Sequence, residues 1–141
     1  MTYDETVTYL FNCAPPFQQV GGAAYKEGLS KTIALDDHLG NPHRKFRTIH
    51  VAGTNGKGST SSFISSVLRE AGLKTGLYIS PFVVAFNERI QINGEYISDQ
   101  ELAEWTEIIK TASEKIADAE NPITEFEFIT ALGFKYFADK G

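Results

Sequence analysis

Several residue types are scarce in this 141-residue chain, and each scarcity excludes a class of protein. Cys13 is the single cysteine, so an internal disulfide is excluded. His38, His43 and His50 have no spacing that brings two of them onto one face as metal ligands, and structural roles are expected for all three. Positive charge is scarce too: 13 Lys and Arg oppose 18 Asp and Glu, a formal net charge of −5. No surface that neutralises a nucleic acid or an anionic membrane is therefore expected.

Long apolar runs are missing as well. The first residues include Asp4 and Glu5, and no stretch approaches the roughly 20 apolar residues that cross a bilayer, so neither a signal peptide nor a membrane span is expected. Hydrophobic residues make up 42% of the chain, enough for one core. We expect one domain, residues 1–141, in the reducing cytoplasm.

Capping residues and apolar spacing predict five helices. Three open on a capping box, a Ser or Thr followed three residues later by Glu: Thr2 and Glu5, Ser98 and Glu101, Thr124 and Glu127. Another helix is expected over residues 29–39 and another over residues 63–71, ended by Gly72. On the last helix, the expected apolar side consists of Phe126, Ile129, Gly133 and Phe137. Residues 17–28, rich in Gly and Ala, predict a surface loop.

Two apolar segments flank a glycine-rich loop. Residues 46–52 and residues 75–80 each predict a strand, and a helix lies between them. The order strand, helix, strand predicts a right-handed parallel βαβ unit. Further along, Asn93-Gly94 separates two short apolar runs and predicts a hairpin with a type I′ turn, because Asn and Gly tolerate the positive φ that this turn requires.

The loop itself is an octet of a kind that binds phosphate: Gly53, Thr54, Asn55, Gly56, Lys57, Gly58, Ser59 and Thr60. Its glycines leave backbone N–H groups uncovered at the positive end of the following helix, where an anion is stabilised. Lys57 can reach the terminal phosphates of ATP, and Ser59 or Thr60 offers a hydroxyl where Mg²⁺ usually binds. The alternative is a glycine-rich turn that happens to contain a lysine. The strand before the octet and the helix after it favour the phosphate loop.

The octet departs from the Walker pattern, since Gly58 takes the position of the Ser or Thr that follows the lysine. Residues 50–59 instead resemble the ATP loop of the Mur ligase superfamily, specifically that of the folylpolyglutamate synthase/dihydrofolate synthase family. Further segments resemble that family in the same order: Leu39-Gly40-Asn41-Pro42, Tyr78-Ile79-Ser80-Pro81 and Phe86-Asn87-Glu88-Arg89-Ile90.

The resemblance implies a ligase that joins L-glutamate to dihydropteroate or to a folate, using ATP and Mg²⁺ and an acyl phosphate on the pterin-side carboxylate. By position, it implies that these residues hold ATP: Thr54, Asn55, Gly56, Lys57 and Ser59. Lys57 would neutralise charge on the transferred phosphoryl group.

The resemblance also suggests ligands outside the octet. It implies that Ser80 supplies a hydroxyl to Mg²⁺, whereas without it a strand-ending turn before Pro81 is the better interpretation. Thr124 and Phe126 resemble a pterin-contacting pair, and a helix cap with a core phenylalanine is an equally good interpretation.

Some features depart from the family. Phe82 stands where relatives commonly carry histidine, so the choice between dihydropteroate and folate stays open. No apolar strand ending in Asp or Glu follows the βαβ unit. We therefore expect a truncated N-terminal ATPase domain that lacks the C-terminal glutamate-binding domain and is inactive alone. Glu88 and Arg89 are expected to pair and shape the loop after Ser80.

The expected fold is α/β, an incomplete three-layer P-loop-type domain with a mostly parallel sheet. The expected partners are small molecules, without nucleic acid or membrane, and the expected state is a monomer. Two alternatives stay open. One is a stand-alone nucleotide- or phosphate-binding module without catalysis. The other is a Mur-type ligase acting on cell-wall precursors, which should lack the Phe-Asn-Glu-Arg-Ile segment.

Overall fold

The computed structural model describes residues 1–13, 28–116 and 122–141. The loop predicted for residues 17–28 lies outside these ranges, apart from Gly28. The chain forms two compact units, one of Met1–Phe46 with Gln100–Gly141 and one of Arg47–Asp99. Within the described ranges, no helix has the length and apolar character needed to cross a membrane.

Within the described residues, five helices and three strands follow one another: α1 (Tyr3–Asn12), α2 (Ser30–His38), α3 (Lys57–Glu70), β1 (Gly76–Tyr78), β2 (Ile90–Ile92), β3 (Glu95–Tyr96), α4 (Asp99–Ile116) and α5 (Glu125–Lys140). Two short 3-10 helices, Pro42–Lys45 and Phe86–Arg89, lie between them. All five predicted helices are present in the described residues, and the α/β class is confirmed.

The first unit is helical, and α1 and α5 begin where the capping residues predict. Thr2 and Glu5 form the complete capping box of α1. Helix α5 contacts α1, α2 and the first 3-10 helix, so the other elements of this unit pack around it. Its core consists of fully buried aliphatic side chains: Leu10, Leu35, Leu102, Ile109, Ile129 and Leu132. Burial of this kind contributes roughly 1.5–3 kcal/mol per side chain before chain entropy is subtracted.

One side chain on α5 lies on a different side from the prediction. Phe126 was expected on the apolar side, but 58% of its surface is exposed. Phe128 is buried instead, and its ring meets the Tyr9 ring edge-on, with the centroids 5.8 Å apart. The difference arises because the start of α5 rotates its second residue toward solvent and its fourth toward α1.

The second unit contains a three-stranded sheet in the order β1-β2-β3. Both pairings are antiparallel, with Tyr78 opposite Ile90 and Gln91 opposite Tyr96. Asn93 and Gly94 join β2 to β3 with φ values of 51° and 81°. These positive values at both central residues confirm the predicted type I′ hairpin.

The predicted parallel βαβ unit is not formed within the described residues. Residues 46–52 make no strand pairing, and β1 pairs antiparallel with β2. Most of this segment is exposed, including 63% of Ile49. Parallel strands are stable when neighbouring strands flank them and helices cover both faces. The described part of the chain supplies residues 46–52 with no such neighbour, so they form no ladder.

Candidate functional site

The phosphate-loop octet is a turn that depends on glycine. Gly53 has a φ of 152° and Gly56 a φ of 77°, a range that L side chains rarely adopt. A Cβ at either position would meet no atom within 4 Å. The glycines are therefore required by backbone conformation and not by crowding, and they leave open space directly above the loop backbone.

Helix α3 begins at Lys57 with an uncovered positive end. Gly56 occupies its N-cap and has no side chain to cap the helix. The first intrahelical bond runs from the Thr60 N–H to the Gly56 carbonyl, at 2.9 Å. The N–H groups of residues 57–59 therefore have no acceptor within the helix. Together with the helix dipole, they form an arrangement suited to phosphate oxygens.

The Lys57 side chain adds a positive charge at the loop. Its Nζ donates hydrogen bonds to the carbonyl oxygens of Gly53, at 2.6 Å, and Thr54, at 3.3 Å. The ammonium group thus lies over the loop itself, and Ser59 and Thr60 are exposed on the first turn of α3. The chain brings the glycines, the lysine and the hydroxyls of the octet together, as the sequence predicts for their positions.

Ser80 lies in the turn that follows β1. The Ile79 N–H donates to the Arg89 carbonyl at 3.0 Å, and Ser80 comes next, exposed and joined to Pro81 by a cis peptide bond. Phe82 then folds back, with its ring centroid 5.7 Å from that of Phe86. Where relatives commonly have histidine, this chain therefore has an aromatic ring packed against the second 3-10 helix.

The turn after Ser80 is held by one carboxylate. Glu88 Oε2 accepts from the Val83 N–H at 2.9 Å, and Oε1 accepts from the Val84 and Ala85 N–H groups at 2.8 Å. These backbone hydrogen bonds lower the pKa of the Glu88 carboxyl. Glu88 does shape this loop, but through backbone N–H groups and not through Arg89. The Arg89 guanidinium lies 5.1 Å above the Phe86 ring.

These backbone contacts of Glu88 were not predicted from the sequence. A weak signal was present, because a Glu three to five residues after a run of backbone N–H groups can reach back to them in a turn, as in a capping box. The direction of the Glu88 side chain depends on the 3-10 helix of residues 86–89, which the sequence did not reveal.

Thr124 and Phe126 lie in the first unit, at the start of α5. Thr124 Oγ1 accepts from the Glu127 N–H at 3.2 Å, and the Glu127 carboxylate accepts from the Thr124 N–H at 2.8 Å. The helix-cap interpretation of Thr124 is therefore confirmed. The core-phenylalanine interpretation is wrong, since 58% of the surface of Phe126 is exposed.

A magnesium ion fits the donors of the octet only in combination with phosphate. The described residues contain no group of three or more His, Cys, Asp or Glu that could hold a metal. His43 Nδ1 lies 2.5 Å from Asp36 Oδ2, at hydrogen-bond distance. The exposed hydroxyls of Ser59 and Ser80 are hard oxygen donors. Mg²⁺ accepts such ligands when nucleotide phosphates and water complete its coordination, and the donor set is compatible with that mode.

Comparisons with known proteins point consistently to one group. The chain is 42% identical over 142 residues to the folylpolyglutamate synthase of Lacticaseibacillus casei, covering 99% of this chain and 32% of that protein. It is 48% identical over 118 residues to the dihydrofolate synthase/folylpolyglutamate synthase of Bacillus subtilis, covering 81% of this chain and 27% of that protein. No family model matches.

Solved structures agree. The L. casei folylpolyglutamate synthetase superposes with a TM-score of 0.87 at 41% identity, over 99% of this chain and 34% of that one. The Thermotoga maritima folylpolyglutamate synthase gives 0.85 at 35% identity, over 98% and 30%. A folylpolyglutamate synthase structure described as a complex with AMPPCP and folate gives 0.85 at 42% identity, over 99% and 33%. The chain spans about a third of the length of these relatives.

Proposed function

Because the homologues and structural neighbours of this chain are folylpolyglutamate and dihydrofolate synthases, we propose that it is the ATP-binding part of a ligase that joins L-glutamate to a folate-type acid. The observation that carries this proposal is the octet, in which open glycines, the uncapped start of α3 and the Lys57 ammonium group surround one space. The structural neighbours include complexes with AMPPCP, an ATP analogue, and with folate. These complexes support a nucleotide and a folate as the two classes of ligand.

The residues of this chain have separate tasks in the proposed reaction. When bound, Mg·ATP would supply the γ-phosphoryl group: the substrate carboxylate oxygen takes it to form an acyl phosphate, with ADP as the leaving group. The glutamate amine then loses a proton and attacks the acyl carbon, so that an amide bond forms and phosphate leaves. The N–H groups of residues 57–59 hold phosphate oxygens, and Lys57 exchanges its two carbonyl acceptors for phosphate oxygens. The Ser59 and Ser80 hydroxyls would hold the metal that accompanies the nucleotide. No protein nucleophile takes part.

The substrate residues are proposed on the first unit. The exposed Phe126 ring suits stacking against a pteridine, since aromatic pairs of this kind contribute about 0.5–1.5 kcal/mol beyond buried area. The Thr124 hydroxyl is already engaged with Glu127, so we propose that Thr124 acts mainly by orienting the start of α5 beneath Phe126. This proposal holds equally for dihydropteroate and for folate, because both carry the pteridine.

Ligation is proposed to require protein residues beyond these 141, including a glutamate-binding C-terminal domain. Two observations support this. The chain covers about a third of each relative, and residues 46–52 have no strand partner among the described residues. The 141 residues alone are then expected to bind nucleotide without ligase activity. We also propose a monomer in the cytoplasm, which a chain with one cysteine suits.

The test is calorimetric titration of this chain with Mg·ATP, beside Lys57→Ala. Hydrogen bonds to a charged group contribute about 1.5–3 kcal/mol, so the variant should bind on the order of 10- to 100-fold more weakly. Lys74→Ala, which removes an exposed lysine of the same unit, is the matched control and should bind like the unmodified chain. Equal affinity of the Lys57 and Lys74 variants would rule out the octet as the ATP site.

A further inference from the structure

The exposed turn at Ser80 is anchored at both ends on one 3-10 helix. Before the turn, the Ile79 N–H donates to the carbonyl of Arg89; after it, the Val83 N–H donates to the carboxylate of Glu88. Residues 80–82 therefore form a short bridge whose two ends are held by neighbouring residues, Arg89 at the start and Glu88 at the end. A short span with both ends held has little conformational freedom, so the direction of the Ser80 side chain depends on both anchors.

The helix that carries the anchors is itself immobilised. Phe86 is 2% exposed and Asn87 is 6% exposed. The Asn87 Nδ2 donates to the Ile97 carbonyl at 2.7 Å and to Asp99 Oδ1 at 2.9 Å, and Gln91 Nε2 donates to the Glu88 carbonyl at 2.9 Å. The main chain around Glu88 is thus tied to β2 and to the segment after β3.

The Glu88 carboxylate is fully committed to the turn. Its two oxygens accept three backbone N–H groups, those of residues 83–85, all between 2.8 and 2.9 Å. An ionised carboxylate forms stronger hydrogen bonds to N–H donors than a neutral acceptor does. With both oxygens occupied in this way, Glu88 is suited to hold the loop and not to transfer a proton or to bind a ligand.

We propose that Glu88 is a positioning residue for Ser80, which keeps the exit of the turn in place so that the Ser80 hydroxyl meets the metal of Mg·ATP. This inference rests on the proposed function. It assigns to the Phe-Asn-Glu-Arg segment a role at the nucleotide site that Glu88 exerts through the position of Ser80.

The experiment measures the Mg²⁺ dependence of ATP affinity for the unmodified chain, Glu88→Gln, Ser80→Ala and the double variant. A Gln side chain has one acceptor oxygen in place of two, so it cannot reproduce the three bonds. In Glu88→Gln, the Mg²⁺ concentration that gives half of the maximal increase in ATP affinity should rise about tenfold. The ATP affinity without Mg²⁺ should stay unchanged, and hydrogen exchange of the backbone amides of residues 83–85 should become faster. Glu95→Gln, an exposed carboxylate on β3, is the matched control and should change none of these.

The double variant separates positioning from an independent effect. If Glu88 acts through Ser80, the double variant should have the same Mg²⁺ dependence of ATP affinity as Ser80→Ala, because the effects of two residues that act through one contact do not add. Additive losses, or an unchanged Mg²⁺ dependence in Glu88→Gln, would overturn the inference. If the unmodified chain shows no Mg²⁺-dependent ATP binding, the proposed function itself fails. Should Glu88→Gln not fold, Glu88→Asp, which keeps the charge but shortens the reach, gives the same comparison.

Discussion

Replacing Gly56 with alanine separates the conformational role of the octet from its role in binding. Gly56 has a φ of 77°, and a Cβ there would meet no atom within 4 Å. The stability cost of Gly56→Ala is therefore only that of placing alanine in the left-handed region, about 1 kcal/mol. For a chain of this size that corresponds to a fall in Tm of about 3 °C.

The effect on ATP should be larger, because the added methyl group enters the space that phosphate would occupy. At a ligand concentration of about 100 times Kd, binding stabilises a protein by about 2.7 kcal/mol, and a tenfold weaker site gives only about 1.4 kcal/mol. Thermal unfolding with and without Mg·ATP measures both quantities in one series. We expect Gly56→Ala to lose at least about half of the ligand-induced stabilisation.

Gly72→Ala is the matched control for this prediction. Gly72 ends α3 with a φ of 84°, and a Cβ there also meets nothing within 4 Å. Its N–H and that of Leu73 bond back to the last turn of α3, so its conformation is as well defined as that of Gly56. The two variants should lose similar stability, while only Gly56→Ala loses the response to Mg·ATP. An equal response in both would refute the reasoning.

Two further predictions concern the first unit. Thr124→Ala removes the cap of α5 and should cost about 1 kcal/mol in chemical denaturation, whereas Thr124→Ser, which keeps the hydroxyl, should cost less; equal losses would exclude the cap as the cause. Tyr9 has its pKa raised to about 12, chiefly by burial, so the stability it contributes is complete below pH ~10, the pKa of an unfolded tyrosine, and is lost as the pH rises toward 12. Titration of tyrosinate absorbance against Tyr9→Phe checks this, and ionisation of Tyr9 near pH 10 would contradict it.

Features that depend on neighbours in sequence could be predicted from sequence. The capping boxes at Thr2 and Thr124 and the Asn93-Gly94 turn each involve residues at most three apart, and each is present in the structure. In the octet, Gly53 and Gly56 have the positive φ values that glycine favours, while phosphate binding by the octet stays a prediction. The capping boxes and the turn depend on hydrogen bonds and backbone preferences of residues close together in the chain, so the residue types alone predict them.

Features that depend on distant partners were predicted less well. Residues 46–52 have the composition of a buried strand, yet a strand forms only when another lies beside it, and composition does not show whether one does. Phe126 has the spacing of a core residue, but the rotation of α5 against α1 decides its exposure. The Glu88 contacts required knowledge of the 3-10 helix that turns its side chain back toward Val83.

The unpaired segment of residues 46–52 also affects how the isolated chain should behave at high concentration. No strand among the described residues pairs with it, so its main-chain N–H and C=O groups can template pairing with another molecule. Helix α3 exposes 73% of Phe63 and 68% of Val67. Association through this region would grow with protein concentration and would be suppressed by a charge introduced there. Ile49→Lys, which adds a charge to the exposed segment without touching the octet, is therefore the substitution we expect to make this chain easiest to handle.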